Sequence, residues 1–302
     1  MAAENPRIAP YERVQRHSGG RAGSFPSMRT VSETSGVVRY IWSHPANRGR
    51  RLRTLWKAAQ FQARGRLLNR RTLVPIGERS VMWAELHRRG SSRAVYANPP
   101  DVEMLVWQRC LRPGDLFLDI GANVGIYSLI AAELGAEVIA AEPDPDTADR
   151  LRENIALNHY SVQVVECAVA AENGTSRFTT GLDTVNHFDT DGGREVATRA
   201  IDDIIGDRRA RGVKIDVEGF EELVLQGAQR ALQEHRLDLL QIEWSGDPRT
   251  TALLRGVGYD LWCHDGLGGL TQVVVPAVGE IFARPHDSTG AVPSSMDVSR
   301  HL

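Results

Sequence analysis

Two short stretches concentrate the residue types that can do chemistry. The first is Asp119-Ile-Gly-Ala-Asn-Val-Gly-Ile-Tyr-Ser128, an acid and two glycines between an apolar run and a segment of helical character. Gly121 and Gly125 let a backbone turn tightly and let a ligand approach with no Cβ in the way. Glu142 follows 21 residues after Gly121, where the next strand should end, and a carboxylate there can take both hydroxyls of a ribose. Together these residues specify a nucleoside site. The second stretch is Lys214-Ile-Asp-Val-Glu-Gly-Phe-Glu221. A lysine and an aspartate in an apolar parallel strand are costly unless paired or at its carboxyl end, which places Asp216 at the ligand-facing end with Glu218 just beyond. Glu243, in Gln241-Ile-Glu-Trp-Ser245, takes the matching position on the following strand. Three carboxylates on adjacent strand ends could orient a substrate, accept its proton or hold a Mg²⁺. In the plainer alternative Asp216 merely pairs with Lys214, and Glu218 caps the next helix.

A nicotinamide or flavin dinucleotide would call for G-x-G-x-x-G and helix amides facing a pyrophosphate. Here position 123 is Asn, and Asp119 stands two residues before the first glycine. A carboxylate aimed into the pocket repels a pyrophosphate but suits an ammonium group, such as that of the methionine part of S-adenosylmethionine. Displacement on a sulfonium carbon needs the acceptor oxygen held in line at about 3–3.5 Å, and a base mainly to remove the hydroxyl proton. Besides the carboxylates, His187 and His264 are candidates for that base, with surface placement the plainer account of each. Thr184-Val-Asn-His-Phe188 would then belong to a lid or acceptor pocket.

The elements needed to position these groups are legible downstream of residue 101. A helix at 101–111, a strand at 116–120, a helix at 124–134, a strand at 137–141, a helix at 147–158 and a strand at 162–169 make a βαβαβ series, hence a parallel sheet. An irregular stretch, 170–199, has room for one hairpin. After a short helix come a strand at 213–217, a helix at 220–232, a strand at 237–243 and a helix at 248–255. Segments 259–263, 271–275 and 280–284 read as closing strands with an antiparallel edge. Residues 101–285 thus form one α/β domain, followed by a frayed tail at 286–302.

The first hundred residues differ in kind. They hold 19 of the 36 Lys+Arg and 5 of the 38 Asp+Glu, a net +14 against −16 for the remainder. Residues 1–36 show no period of 2 or 3.6 and read as a disordered arm; residues 37–100 read as a basic extension. Within it Leu52, Leu55, Trp56, Ala59, Ala63 and Leu67 predict an amphipathic helix over 48–68, its apolar side packed on the main domain and its basic side in water. No membrane or nucleic-acid partner is expected; a nucleic-acid or membrane-surface role, or packing on a second subunit of a homo-oligomer, are the rival roles for that helix. Short strands at 72–76 and 81–86 follow. Cys110, Cys167 and Cys263 form no C-x-x-C pair and read as buried thiols. No window approaches 18 uninterrupted apolar residues and no apolar leader follows a basic start, so a cytoplasmic protein is expected. With 42% hydrophobic and 25% charged residues, disorder is excluded for most of the chain.

In order and spacing, Pro113-Gly-Asp-Leu-Phe-Leu-Asp-Ile-Gly-Ala-Asn-Val-Gly-Ile-Tyr-Ser128, Ala141-Glu-Pro-Asp-Pro145, Thr198-Arg-Ala-Ile-Asp-Asp-Ile-Ile205 and Val213-Lys-Ile-Asp-Val-Glu-Gly-Phe-Glu221 resemble the FkbM family of S-adenosylmethionine-dependent methyltransferases. The resemblance covers roughly residues 100–245 and not 1–90. It implies a class I methyltransferase (Rossmann-like) fold: a seven-stranded, mostly parallel sheet with helices on both faces and a reversed last strand pair. It further implies O-methylation of a sugar, nucleoside or polyketide-type hydroxyl in secondary-metabolite biosynthesis. Carried over by position, Asp119, Gly121, Asn123 and Gly125 would line the methionine side, Glu142 would hold the ribose, and Cys167 and Ala168 would lie beside the adenine. Asp216, with Glu218 and Glu243, would stand at the reaction centre, with no dedicated metal site and Mg²⁺ an open option. An RNA methyltransferase gripping phosphates with the basic extension is the alternative. Asn98-Pro-Pro-Asp101 resembles the Asn-Pro-Pro-aromatic loop of base-methylating enzymes, but Asp101 replaces the stacking aromatic, which speaks against that chemistry.

Overall fold

A computed structural model describes residues 29–286 apart from 69, 87, 179–192, 275 and 277. The arm up to residue 28, the tail from 287, His187 and the segment 184–188 lie outside the described residues. The extension folds as α1 (Arg29–Ser43), a 3-10 turn at Pro45–Asn47, α2 (Arg51–Leu68), the hairpin β1 (Thr72–Ile76) and β2 (Ser80–Ala84), then α3 (Arg89–Tyr96). The sheet domain continues with α4 (Met104–Cys110), β3 (Leu116–Ile120), α5 (Ile126–Glu133), β4 (Glu137–Ala141), α6 (Pro145–Leu157) and β5 (Val162–Val165). Next come β6 (Ala168–Val169), β7 (Gly174–Phe178), β8 (Arg194–Arg199), α7 (Ile201–Ile205), β9 (Gly212–Ile215), α8 (Glu221–Gln226) and α9 (Gln229–Gln233). The chain closes with β10 (Leu240–Trp244), α10 (Pro248–Gly256), β11 (Tyr259–His264), β12 (Leu270–Val273) and β13 (Gly279–Pro285).

The main sheet runs β12-β11-β13-β10-β9-β3-β4-β5, parallel from β10 to β5, with β13 antiparallel between β10 and β11. The seven strands that the resemblance implies are present, and β12, the strand expected at 271–275, makes an eighth by pairing with the outer edge of β11. Alternate residues face opposite layers, as the period of a strand requires. Leu116, Leu118, Ile120, Val213, Ile215, Leu240 and Ile242 pack with α7 to α10, whereas Phe117, Val138 and Phe282 pack with Trp107 of α4 and Ala131 of α5. On this second face the register sets Asp119 opposite Lys214, and Lys214 opposite Gln241. One polar row therefore crosses three apolar strands, and it leads to the site.

Three expected elements differ in detail. The strand at 162–169 is two: β5 stays in the main sheet, while β6 joins a three-stranded sheet with β8 and β7, which are the expected hairpin. The helix at 220–232 breaks between α8 and α9 because Gly227 passes close to β6; a Cβ there would lie 2.1 Å from the carbonyl oxygen of Ala170. The break is a packing requirement that no periodicity reveals. Finally, α1 begins at Arg29, inside the stretch expected to be a disordered arm.

The extension is no separate domain. Ile41, Phe61, Val74, Ile76, Met82 and Tyr96 share one apolar cluster with Leu129 and Ile130 of α5 and Leu151 and Ile155 of α6. Polar groups lock the joint. The buried Glu133 carboxylate accepts the backbone N–H groups of Glu78, Arg79 and Ser80 at 2.8, 2.9 and 2.7 Å and the Ser80 hydroxyl at 2.5 Å. Asn154 of α6 and Asn158 at its C-cap hydrogen-bond the backbone of β2 at Trp83 and Val81. Asn98, from the Asn-Pro-Pro segment, pairs with the Gly77 peptide through both its amide atoms, each at 2.8 Å, which is a structural duty.

The orientation of α2 reverses the expectation. The side that packs inward is Ala58, Phe61 and Gly65, because Gly65 lets α2 approach Leu86 to a distance at which a Cβ would meet its side chain at 2.7 Å. Of the expected apolar face, Leu55 packs against the same cluster, whereas Leu52, Trp56, Ala59, Ala63 and Leu67 point to solvent.

Candidate active site

A cleft of about 120 Å³ opens at the carboxyl ends of β3, β4 and β9, where open α/β sheets bind ligands. Its walls include Gly121, Asn123, Glu142, Cys167, Ala168, Lys214, Asp216 and Glu218. Of the residues expected to bind or act, Gly121, Asn123, Glu142, Cys167, Ala168, Asp216 and Glu218 therefore share one cavity. Asp119, Gly125 and Glu243 stand behind it or at its margin.

The turn after β3 is built from left-handed backbone: Gly121 at φ +74°, Asn123 at +50° and Gly125 at +92°. Gly121 cannot be replaced cheaply, since a Cβ would sit 1.9 Å from the carbonyl oxygen of Asp216. The turn thereby fits against the strand that carries Asp216. Asn123 donates its backbone N–H to Glu142 at 2.9 Å, and the Asp144 N–H donates to the other carboxylate oxygen at 3.0 Å. Burial dominates these two bonds and pushes the Glu142 carboxyl up to about 7. Asp144 in turn caps α6, its side chain accepting from the Asp146 N–H, so the same few residues start the helix and hold the carboxylate.

Asp119 is fully buried and does not line the cleft. One oxygen accepts the Ser128 hydroxyl at 2.6 Å; the other has no hydrogen bond and faces the Lys214 ammonium at 4.0 Å. Lys214 reaches the cleft, bonds the Gly121 carbonyl at 3.3 Å and Asp216 at 3.0 Å, and lies 5.1 Å from the centre of the Tyr127 ring. Burial opposes ionisation of Asp216, but Lys214 and a hydrogen bond from Glu243 outweigh it and hold the carboxyl below its usual value. Partial burial and the Asp216 charge push Glu243 up to about 8. The shifts run in opposite directions, Asp216 toward its charged form and Glu243 toward its protonated form. Carboxylate oxygens of Asp216, Glu218 and Glu243 come within 4.8 Å of one another.

No side chain caps the next helix at its N-cap, Phe220; Glu221, its first residue, accepts the N–H of Gly219 just outside it at 3.0 Å, so no capping duty falls to Glu218. Glu218 instead holds a left-handed conformation, φ +54°, in the cleft wall. The Cys167 thiol is pushed up to about 11 by burial and faces the cleft uncharged. His264 does not line the cleft; it pairs with Glu103 at 3.0 Å, and that bond raises its pKa.

Sequence reasoning missed four contributors. Gly90 and Arg93 of α3, with Asp101, line the cleft from the extension. Gly90 packs on the glycine turn so closely that a Cβ would meet the Asn123 amide oxygen at 2.4 Å, and Arg93 is ion-paired with Asp101. Glu280, pushed up to about 7 by burial, accepts from the Gln241 amide, which also bonds the Tyr127 hydroxyl, each at 3.0 Å. Only the Glu at 280 in an apolar strand offered a signal.

The donor set fixes what charge the cleft favours. Asp101, Glu142, Asp216 and Glu218 face Lys214 and Arg93, and both cations are already engaged by carboxylates. Acid is in excess, which opposes a pyrophosphate and suits a cationic ligand that also carries hydroxyl donors for Glu142.

Comparison with known proteins agrees with this chemistry. A family model described as the methyltransferase FkbM domain matches residues 119–261. The hexuronic acid methyltransferase AglP of Haloferax volcanii is 30% identical over 146 residues, which cover 46% of this chain and 61% of that protein, less than two thirds of its length. The 31-O-demethyl-FK506 methyltransferase FkbM of Streptomyces tacrolimicus is 31% identical over 212 residues, 57% of this chain and 74% of that protein. Among solved structures, a TehB-like methyltransferase from Corynebacterium glutamicum is 15% identical, with 65% of this chain and 92% of that one covered and a TM-score of 0.39. On the shared sequence and the strand-end site it encodes, the chain belongs to the FkbM methyltransferase family.

Proposed function

We propose that the protein is an S-adenosylmethionine-dependent O-methyltransferase acting on a hydroxyl of a small natural product of sugar, nucleoside or polyketide type. The observation that carries this reading is the Asp216 carboxylate in the cleft wall, 3.0 Å from the Lys214 ammonium and within 4.8 Å of the Glu218 and Glu243 carboxylates. By their names, the two relatives methylate a hexuronic acid and 31-O-demethyl-FK506, which supports a small-molecule acceptor.

The turn Gly121–Gly125 and Asn123 are assigned to the methionine side, Glu142 to the ribose hydroxyls, and Cys167 and Ala168 to the adenine edge. Asp119 contributes its charge from beneath, through Ser128 and Lys214. When bound, S-adenosylmethionine supplies a methyl group made electrophilic by its sulfonium. The protein's part is to hold the acceptor oxygen in line and to receive its proton. Asp216 is the group with the charge and the position to accept that proton; Glu243, by hydrogen-bonding it, keeps it oriented. Glu218 is assigned to acceptor orientation. The comparisons lend no support to Mg²⁺, and no metal role is assigned.

The test is single-turnover methyl transfer with a panel of glycosylated, nucleoside and polyketide alcohols and a total tRNA pool. Asp216→Asn should slow transfer to the alcohols by about 10²–10⁴ while leaving S-adenosylmethionine binding nearly intact. Wild-type rates from Asp216→Asn, or transfer to tRNA alone, would defeat the proposal.

A further inference from the structure

The outward face of α2 carries an exposed apolar stripe bordered by cations. Along its exposed side Leu52, Trp56, Ala59, Ala63 and Leu67 follow one another at steps of four, three, four and four residues, the spacing of one helical stripe. Leu52 is 77% exposed, Trp56 66% and Leu67 82%, although a helix packed on its own domain would turn such residues inward. The inward side is already satisfied by Ala58, Phe61 and Gly65, so the stripe is a second apolar face. Val38 and Trp42, one turn apart on α1, are exposed as well, and the Arg51 guanidinium, at the start of α2, lies 5.1 Å from the centre of the Trp42 ring.

The charges around this stripe identify its partner. Over its 18 residues α2 carries five basic residues and no acidic one. Arg53, Lys57 and Arg64 lie on one flank of the stripe and Arg66 on the other. None of these four meets a carboxylate among the described residues. On the first flank, moreover, Arg50, Arg53, Lys57 and Arg64 line a cavity of about 350 Å³ between α2, β1 and α3 that has no acidic residue in its wall. A stripe of Leu and Trp bordered by unpaired cations is the pattern of a helix that lies in the headgroup plane, with its apolar side among acyl chains and its cations on lipid phosphates. Among the described residues no helix is long and apolar enough to cross a membrane, so the contact is with the surface.

We infer that α2, with the end of α1, docks the protein on an anionic lipid surface, the apolar stripe entering the interface and the cavity of Arg50, Arg53, Lys57 and Arg64 receiving headgroup phosphate. Two observations carry this independently, the second apolar face of α2 and the acid-free cationic cavity beside it.

The experiment is co-sedimentation of the full chain with vesicles of phosphatidylcholine alone or with about one third phosphatidylglycerol. Binding should occur to the anionic vesicles only and weaken as salt is added, because screening shortens the reach of the arginines. The double variant Leu52→Glu/Trp56→Glu should bind at least about tenfold more weakly, and Arg53→Ser/Lys57→Ser should lose most of its preference for anionic lipid. Both pairs are exposed, so melting temperature and S-adenosylmethionine binding serve as folding controls. The inference is overturned if wild-type protein stays in the supernatant with every vesicle, or if well-folded Leu52→Glu/Trp56→Glu binds as the wild type does. Light scattering that shows a wild-type dimer split by this variant would assign the stripe to a second copy, and polyuridylate displacing the protein from vesicles would assign the cations to RNA. Either result also overturns it.

Discussion

The strand ends of the sheet bring charge to the cleft, whereas the amino-terminal extension brings shape. Glu142, Lys214 and Asp216 reach it from β4 and β9 with shifted protonation equilibria, each set by burial against named partners. From the extension come Gly90, valued for the side chain it lacks, and an Arg93–Asp101 pair that cancels its own charge. Chemistry placed on rigid strand ends tolerates little change, while a wall placed on a short helix can vary with the acceptor.

The largest effect should come from Gly121→Val. A Cβ 1.9 Å from a backbone oxygen, in a left-handed conformation that a β-branched residue avoids, should lower stability by about 3 kcal/mol or more, read by urea unfolding. If Gly121→Val folds and binds S-adenosylmethionine normally, the strand-end region is less rigid than the comparison requires.

Lys214→Met should also cost about 3–5 kcal/mol, because it leaves the buried Asp119 with no cation nearby and removes the partner of Asp216. Adding Asp119→Asn should recover part of that loss; without recovery, the polar row is not one unit.

Smaller, and specific to the ligand, is the pH response of Glu142. Its carboxyl at about 7 lies above the ordinary value, so the folded protein holds a proton that the unfolded chain releases near 4.5. The stabilisation from this group is therefore fully present below about 4.5 and lost as pH rises through about 7. Ribose hydroxyls prefer the ionised carboxylate, so S-adenosylmethionine affinity should move oppositely, rising as pH climbs through 7. Calorimetric titration should find Glu142→Gln weaker at every pH and without that rise.

The smallest effect belongs to the extension. Gly90→Ala improves helix propensity by up to about 1 kcal/mol but sets a methyl group against the Asn123 amide. Its melting temperature should hold while affinity for S-adenosylmethionine falls a few-fold. An unchanged affinity would separate α3 from the cleft.

Residue order made much of the sheet legible, since buried parallel strands read as apolar runs and Asp216 and Glu142 stood out as acids at their ends. Lys214 and Asp119 were visible as misfits in such runs, but only strand register reveals that they face each other. The contributions of Gly90 and Gln241 depend on contacts between distant segments and leave no local pattern. The same limit explains α2: periodicity located a stripe of Leu and Trp, yet could not say that Ala58, Phe61 and Gly65 would win the inward position through close approach to Leu86.

The carboxylate of Glu133 has a bearing on where this protein can be divided. Likeness to the family model begins at residue 119, and a chain started at Asp101 would keep every strand of the main sheet. It would also keep Glu133 while discarding all four groups that donate to it, and would bare the sides of α5 and α6 that now meet Phe61, Ile76 and Met82. The part of the molecule that the family model matches is smaller than the part joined by this apolar cluster and these hydrogen bonds.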